Sequence, residues 1–361
     1  GTVTGVQTCA LPISQAPWPE GLLTLLPPPS MLDAPIPRPA SPGSTPGESD
    51  PQRTCLNDLL GGRPIGLVGL GLIGGSLGLD LQAAGLEVMA LVHRESTAER
   101  ARQRGLASHV AVDSAVLSDC GLVVLALPLD RLLDPDPQLL RGLPTSAVIT
   151  DVGSVKGPVL SRWRTLLHQA GRAHQVDRFV AGHPMAGTAH AGVEAGERGL
   201  FRGRPWVATP DARTDPQALA VVRSLADTVE ARWLTCGASD HDRAVAWISH
   251  LPVLVGAALL QSADRGSAAV GVSDLARALA SSGFADTTRV GGGNPELGTL
   301  MARCNREALL ASLEGYREAI GALQELVRGE RWGELAEALQ TAHGLRPAFL
   351  NPPPDAADRP I

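Results

Sequence analysis

The stretch Ile65–Leu81, IGLVGLGLIGGSLGLDL, admits few folds. A short apolar run, Ile65–Val68, enters the turn Gly69-Leu70-Gly71-Leu72-Ile73-Gly74, and an apolar helical pattern follows to Ala84, where Gly85 stops it. Strand, glycine turn and helix in this order suit the phosphates of a dinucleotide. Gly69 permits the tight turn, Gly71 lets the backbone approach a pyrophosphate, and Gly74 lets the helix pack close to the strand. The helix N-terminus adds free N–H groups and partial positive charge.

Downstream, short apolar runs alternate with helical ones. Glu87–Val92, Leu122–Leu127, Ala147–Thr150 and Phe179–Ala181 read as strands, with a short helix over Thr97–Arg104 closed by Gly105. This alternation predicts a doubly wound parallel sheet, which Pro205–Thr209 and Ala231–Thr235 extend around a helix over Pro216–Val229. Ligands of such sheets bind beyond the carboxyl ends of the strands. Pro128 stands at one such end. At the end of the second strand come His93, Arg94, Ser96 and Thr97. An acidic residue there would take a ribose 2′-hydroxyl. Arginine with two hydroxyl residues suits a 2′-phosphate, so NADP is favoured and NAD stays possible. The alternative for Arg94 is a solvated loop residue.

Two further strand ends carry chemistry. Asp151-Val152-Gly153-Ser154-Val155-Lys156-Gly157 places a hydroxyl beside Lys156, the chain's one lysine. Ser154 caps the next helix or holds a reacting group, and Lys156 is solvated or faces a substrate. Gly182-His183-Pro184-Met185-Ala186-Gly187 puts a histidine in a loop of little bulk, and its ordinary pKa of about 6.5 suits proton transfer. His190, His241 and His250 each keep a structural alternative.

From Ser239 the pattern turns helical. Ser239 or Asp240 is the expected cap of a helix to about Ser262, kinked at Pro252, which cannot donate to residue 248. Helices follow near Ser273–Ala280, Pro295–Ala302 and Asn305–Arg328. In the last, Leu309, Leu313, Tyr316, Ile320, Leu323 and Val327 form an apolar stripe, either core or a seam with a second copy. Gly283–Arg289 reads as a small-residue loop. Its Arg289 can grip a carboxylate with two hydrogen bonds or pair with Asp286.

The formal net charge of −6 and the lack of a basic cluster argue against a nucleic-acid partner. No run reaches bilayer length by this reading, so no membrane association is expected. The five cysteines are scattered without metal-ligand spacing, which predicts a reduced cytoplasmic protein with no structural metal. Residues 1–60 read as an extension without fold, rich in Pro, Ser and Gly. Val3–Ser14 resembles the translation of a sequencing-library adapter, so Met31 is the expected start.

The motifs GLGLIGGSL, DVGSVKG, GHPMAGT, AWISHLPV and SSGFADTTRVGGGNPELG, in that order, resemble the prephenate/arogenate dehydrogenase family over about Pro64 to His343. The likeness is greatest to short, stand-alone, NADP-dependent arogenate dehydrogenases. It implies an N-terminal Rossmann-type domain over 61–236, an all-helical dimerisation domain over 237–346 with a flexible tail over 347–361, and a homodimer through interlocked helices. It also implies oxidative decarboxylation of arogenate or prephenate. Catalysis then falls to His183 and Ser154, substrate binding to Arg289, His250 and Lys156, and cofactor binding to Gly69–Gly74, His93, Arg94, Ser96, Thr97 and Pro128. Val253 and Ala189 stand where some prephenate-specific members carry histidine and glutamate, which favours arogenate. A β-hydroxyacid dehydrogenase and a non-catalytic dinucleotide-binding module are the alternatives. The first is expected to carry a catalytic lysine on a later helix, where this chain has none.

Overall fold

Six short runs build one parallel sheet whose middle strands are buried on both faces. They are β1 (Ile65–Val68), β2 (Val88–Leu91), β3 (His109–Ala111), β4 (Leu122–Leu125), β5 (Val148–Asp151) and β6 (Phe179–Val180), in the order β3-β2-β1-β4-β5-β6. The computed structural model describes residues 55–188 and 190–350. The expectations for Val3–Ser14, Met31, Ala189 and the last eleven residues lie outside them.

Helices α1 (Leu56–Leu59), α2 (Leu72–Ala83), α3 (Glu95–Gln103), α4 (Leu129–Leu133), α5 (Pro137–Gly142), α6 (Gly157–Gln169), α7 (Ala173–Val176) and α8 (Pro216–Thr228) accompany the sheet. Two apolar clusters line it, one around Leu67, Leu77 and Leu106, the other around Val123, Leu125 and Trp163. Leu56 and Leu60 are buried in the first. The fold therefore begins inside the segment read as an extension, because α1 lays two leucines on the core. The edge strand β3 escaped the sequence reading; its three residues carry too little pattern.

The largest departure is at Gly182. The later strands do not extend the sheet. β7 (Gly182–Pro184), β8 (Pro205–Ala208) and β9 (Arg232–Thr235) form a second, three-stranded sheet, with β7 antiparallel and β9 parallel to β8. Side chains take the place of ladder bonds at this point. The Asp151 carboxylate accepts the Gly182 N–H at 3.1 Å, and Lys156 Nζ donates to the Gly182 carbonyl at 2.5 Å. With both groups occupied, the chain turns out of the main sheet, and His183 enters β7 opposite Val207.

The remainder is helical: α9 (Ala238–Val245), α10 (Leu251–Ala269), α11 (Ser273–Leu279), α12 (Ser282–Thr288), α13 (Pro295–Cys304), α14 (Arg306–Arg328) and α15 (Trp332–Leu350). Gly237 is the N-cap of α9, so neither Ser239 nor Asp240 serves. Between α9 and α10 lies a π-helical turn over Ala246–His250, closed by the Leu251 N–H on the Ala246 carbonyl. Pro252 lacks the N–H that residue 248 would need, and the wider turn absorbs that loss without ending the helix. Ala238–Ala269 is thereby 32 continuous helical residues that contain an apolar window of mean hydropathy 1.6, long and apolar enough to cross a membrane by length and composition alone. The reading that no run reaches that length overlooked this continuity.

Gly283–Thr288 lies in α12 and not in a loop. Thr287 and Thr288 return their hydroxyls to the carbonyls of Gly283 and Phe284, and α12 packs on α10. Tertiary packing here overrides a weak helix former. Similarly, α15 passes through Pro347 to Leu350, past the expected start of the tail.

Candidate functional site

Gly69 holds φ +93°, and a Cβ there would sit 2.5 Å from the Ala126 carbonyl oxygen at the end of β4. A Cβ on Gly74 would lie 2.0 Å from the Gly69 oxygen. Only glycines let turn, helix and neighbouring strand approach so closely. Gly71 is the N-cap of α2, makes no side-chain cap bond, and a Cβ on it would meet open space. Leu70 is buried beneath the turn, while Leu72 and Ile73 start the helix half-exposed. An uncapped helix N-terminus facing open space fits a diphosphate. Pro128 is the exposed N-cap of α4, just past β4.

His93, Arg94 and Ser96 are exposed past β2, and Thr97 is half-buried. Arg94 is the N-cap of α3, with Ser96 and Thr97 in the first turn. Glu95, the one acid there, is ion-paired with Arg102 at 2.7 Å.

The second cluster is buried. His183 is 8% exposed. Its Nδ1 lies 2.9 Å from His241 Nε2, and His241 Nδ1 lies 2.8 Å from Asp242 Oδ1. Asp242 also accepts the backbone N–H groups of Lys156 at 2.7 Å and Gly157 at 2.8 Å. The two imidazole rings meet edge to face at 5.1 Å. His183 Nε2 has no hydrogen-bond partner among the described residues. Burial, then the neighbouring His241, Lys156 and His250, hold the His183 pKa well below its ordinary 6.5.

Lys156 is corrected most strongly. It is wholly buried, and its ammonium pairs with Asp151 Oδ2 at 2.5 Å and with the Gly182 carbonyl. It clamps β5 to β7 and is not a solvated residue. Asp151 also accepts the Gly153 N–H at 2.8 Å, which folds the turn back on itself. Ser154 caps nothing: the N-cap of α6 is Lys156, and the α6 amides are taken by Asp242. Its half-buried hydroxyl has no partner among the described residues.

His250 is 1% exposed. Asn305 Nδ2 donates to the Asp242 carbonyl at 2.7 Å and meets His250 Nδ1 at 3.2 Å. An amide N–H can only donate, so the ring proton belongs on Nε2, a buried donor without a partner among the described residues. Burial is the chief cause that pushes the His250 pKa down to about 4. The native state then refuses a proton that the unfolded chain accepts at about 6.5. This contribution to stability is complete above pH 6.5 and is lost as pH falls toward 4, at about 1.4 kcal/mol per pH unit. Denaturant unfolding at pH 7, 6 and 5 checks it. His250→Asn is expected to flatten the slope by that amount, and an unchanged slope refutes the neutral buried ring.

Arg289 is exposed at the end of α12, and no ion pair to Asp286 or any other residue forms among the described residues. The structure thus brings together His183, His250 and Lys156, and leaves Ser154 and Arg289 outside their hydrogen-bond network. Sequence reasoning gave Asp151, Asp242 and Asn305 no role and left His241 with a structural alternative. One signal for two of them was present, a histidine between carboxylates in Ser239-Asp240-His241-Asp242.

Residues 77–235 match the family model for the nucleotide-binding domain of prephenate dehydrogenase, and residues 237–341 match that for its dimerization domain. The crystal structure of Synechocystis arogenate dehydrogenase shares 41% identity, covers 80% of this chain and all of its own, and superposes with a TM-score of 0.66. Cyclohexadienyl dehydrogenase of Zymomonas mobilis is 29% identical over 78% of this chain and 98% of its own. Prephenate dehydrogenase of Bacillus subtilis is 27% identical over 81% of each. With glycine turn, parallel sheet and helical domain in the matching order, the chain belongs to the prephenate/arogenate dehydrogenase family.

Proposed function

We propose that this chain oxidatively decarboxylates arogenate to tyrosine with NADP⁺ as acceptor. One observation carries the chemistry: a buried, neutral His183 whose Nδ1 is engaged and whose Nε2 is left unpaired at the carboxyl end of the sheet. The dinucleotide, once bound along Gly69–Gly74, supplies the hydride acceptor. His183 Nε2 takes the proton of the ring hydroxyl as the hydride leaves the same carbon. The carboxylate on the opposite ring carbon departs as carbon dioxide, and its electron pair makes the ring aromatic. The phenolic oxygen then regains the proton from His183. Ser154, with a free hydroxyl in the turn that carries Lys156, orients substrate and base.

Arg94 with Ser96 and Thr97 at the start of α3 supports a 2′-phosphate, and Glu95 beside them is ion-paired with Arg102. Val253, packed near Gly298, leaves an apolar surface where a prephenate-specific site would offer a donor, which supports arogenate. The likeness to the Synechocystis enzyme supports the same choice.

The proposed dimer has a physical basis in α14. Leu309 is buried, but Tyr316, Ile320 and Val327 along the same stripe are 37–50% exposed, so the chain's own core accounts only for the start of the stripe. A second copy would cover the rest. Four free thiols, Cys55, Cys120, Cys236 and Cys304, support a reducing compartment such as the cytoplasm.

The test is dinucleotide reduction by the purified protein, with arogenate and prephenate compared under NADP⁺ and NAD⁺. A large excess of kcat/KM for arogenate with NADP⁺ is expected. A preference for prephenate keeps the chemistry and discards the reading of Val253. No turnover of either overturns the catalytic assignment. Arg289, exposed and without an ion pair among the described residues, is assigned to a substrate carboxylate. Arg289→Gln is expected to raise the substrate KM roughly thirtyfold, about 2 kcal/mol, at near-constant kcat. An unchanged KM removes that role.

A further inference from the structure

A neutral histidine acts as a base only through the ring nitrogen that lacks the proton, and nothing within His183 decides which one that is. Its surroundings decide it. Asp242 Oδ1 stands 2.8 Å from His241 Nδ1, and a carboxylate only accepts, so His241 carries its proton on Nδ1. His241 Nε2 is then the acceptor, 2.9 Å from His183 Nδ1, which must donate. His183 Nε2 is left bare. Asp242 is suited to be the fixed point of this series. Burial pushes its carboxyl up, but hydrogen bonds from His241, Lys156 and Gly157 together hold it below its ordinary range. Asn305 also grips its backbone carbonyl at 2.7 Å.

We propose that Asp242 is a positioning residue that sets the tautomers of both histidines and thereby presents the bare Nε2 of His183 to the substrate hydroxyl. This rests on His183 being the base. Asp242 does so across the two parts of the chain, since α9 belongs to the helical part and the α6 amides it holds belong to the sheet part.

Two substitutions and one spectrum test it. Asp242→Asn keeps an oxygen in the place of Oδ1, where it still accepts from His241 and Lys156, and loses one bond to Gly157. Asp242→Leu keeps the size and removes every acceptor. Asp242→Leu is expected to lower kcat by about 10²-fold or more with both KM values within about threefold, because His241 then has no acceptor to hold its proton on Nδ1. Asp242→Asn is expected to retain most of kcat. An Asp242→Leu enzyme near wild-type kcat, or one whose kcat falls in step with its dinucleotide affinity, overturns the proposal.

The spectrum needs no Asp242 variant. Long-range ¹H–¹⁵N correlations on histidine-labelled protein, with His183 assigned by its loss in His183→Asn, report the tautomer directly. A protonated Nδ1 and bare Nε2 are expected, and the opposite tautomer overturns the proposal. The two readings fail separately. A fully active His183→Asn beside a bare Nε2 removes the base and leaves the tautomer control standing. An inactive His183→Asn beside an inverted tautomer does the reverse.

Discussion

Replacing His183 by asparagine is expected to lower kcat by about 10²–10⁴-fold while leaving the dinucleotide's affinity within a few-fold, because the loss is that of a general base and of nothing else. His183 lies on β7, outside the glycine turn and outside the parallel sheet that carries it. Asparagine fills most of the space and can still donate toward His241, so the local packing is kept. The pH profile gives a second reading. The His183 pKa is depressed below 6.5 by burial and by its neighbours, so the bare base persists as pH falls. The acid limb of kcat is therefore expected well below pH 6.5. A base this weak suffices, because the hydroxyl becomes strongly acidic as the hydride leaves its carbon. Steady-state kinetics of both enzymes from pH 5 to 9, with dinucleotide binding measured by titration, settle the assignment. A variant with near-full turnover would remove it, and a wild-type limb centred at 6.5 would show His183 to be open to water.

Much of this was legible in the sequence for a physical reason. The dinucleotide turn is local. Strand, glycines and helix are contiguous, and the close approaches at Gly69 and Gly74 exclude side chains, so the motif and the geometry carry the same information. The position of His183 just past a strand of the parallel sheet was legible too. Its partners were not. His241 and Asp242 lie 58 and 59 residues further on, and their link to His183 exists only once α9 rests on the start of α6. The break of the sheet at Gly182 was hidden for a related reason. Nothing local shows that the chain leaves the main sheet after Ala181, because the two side chains that occupy the backbone of Gly182 come from 26 and 31 residues upstream. The helix α12 was hidden because glycine and threonine speak for a loop, and only its packing on α10 reverses them.

Lys156 offers the strongest contrast between a role read from sequence and one read from structure. A lysine that binds substrate shows its loss in KM and leaves the melting temperature alone. A lysine with no exposed surface, paired at 2.5 Å to an equally buried Asp151, shows its loss in the fold. Lys156→Met keeps the length of the side chain and removes the charge. Asp151 then keeps the Gly153 and Gly182 amides but loses its counter-ion in a place that water does not reach. The expected cost is about 3–5 kcal/mol, the usual penalty for leaving one partner of a buried ion pair uncompensated. Against a typical total of roughly 5–15 kcal/mol, that is a large share of the fold's stability. The second substitution distinguishes the pair from mere packing. Asp151→Asn in the Lys156→Met background removes the stranded charge, and it is expected to return part of the lost stability although it deletes a further native group. Chemical denaturation of the wild type, both single variants and the double variant gives the coupling. Strong coupling marks the ion pair as the clamp that holds β7, and with it His183, against β5. Additive losses would mean that Lys156 and Asp151 act independently, and an unchanged stability with a raised substrate KM would restore the substrate-binding role.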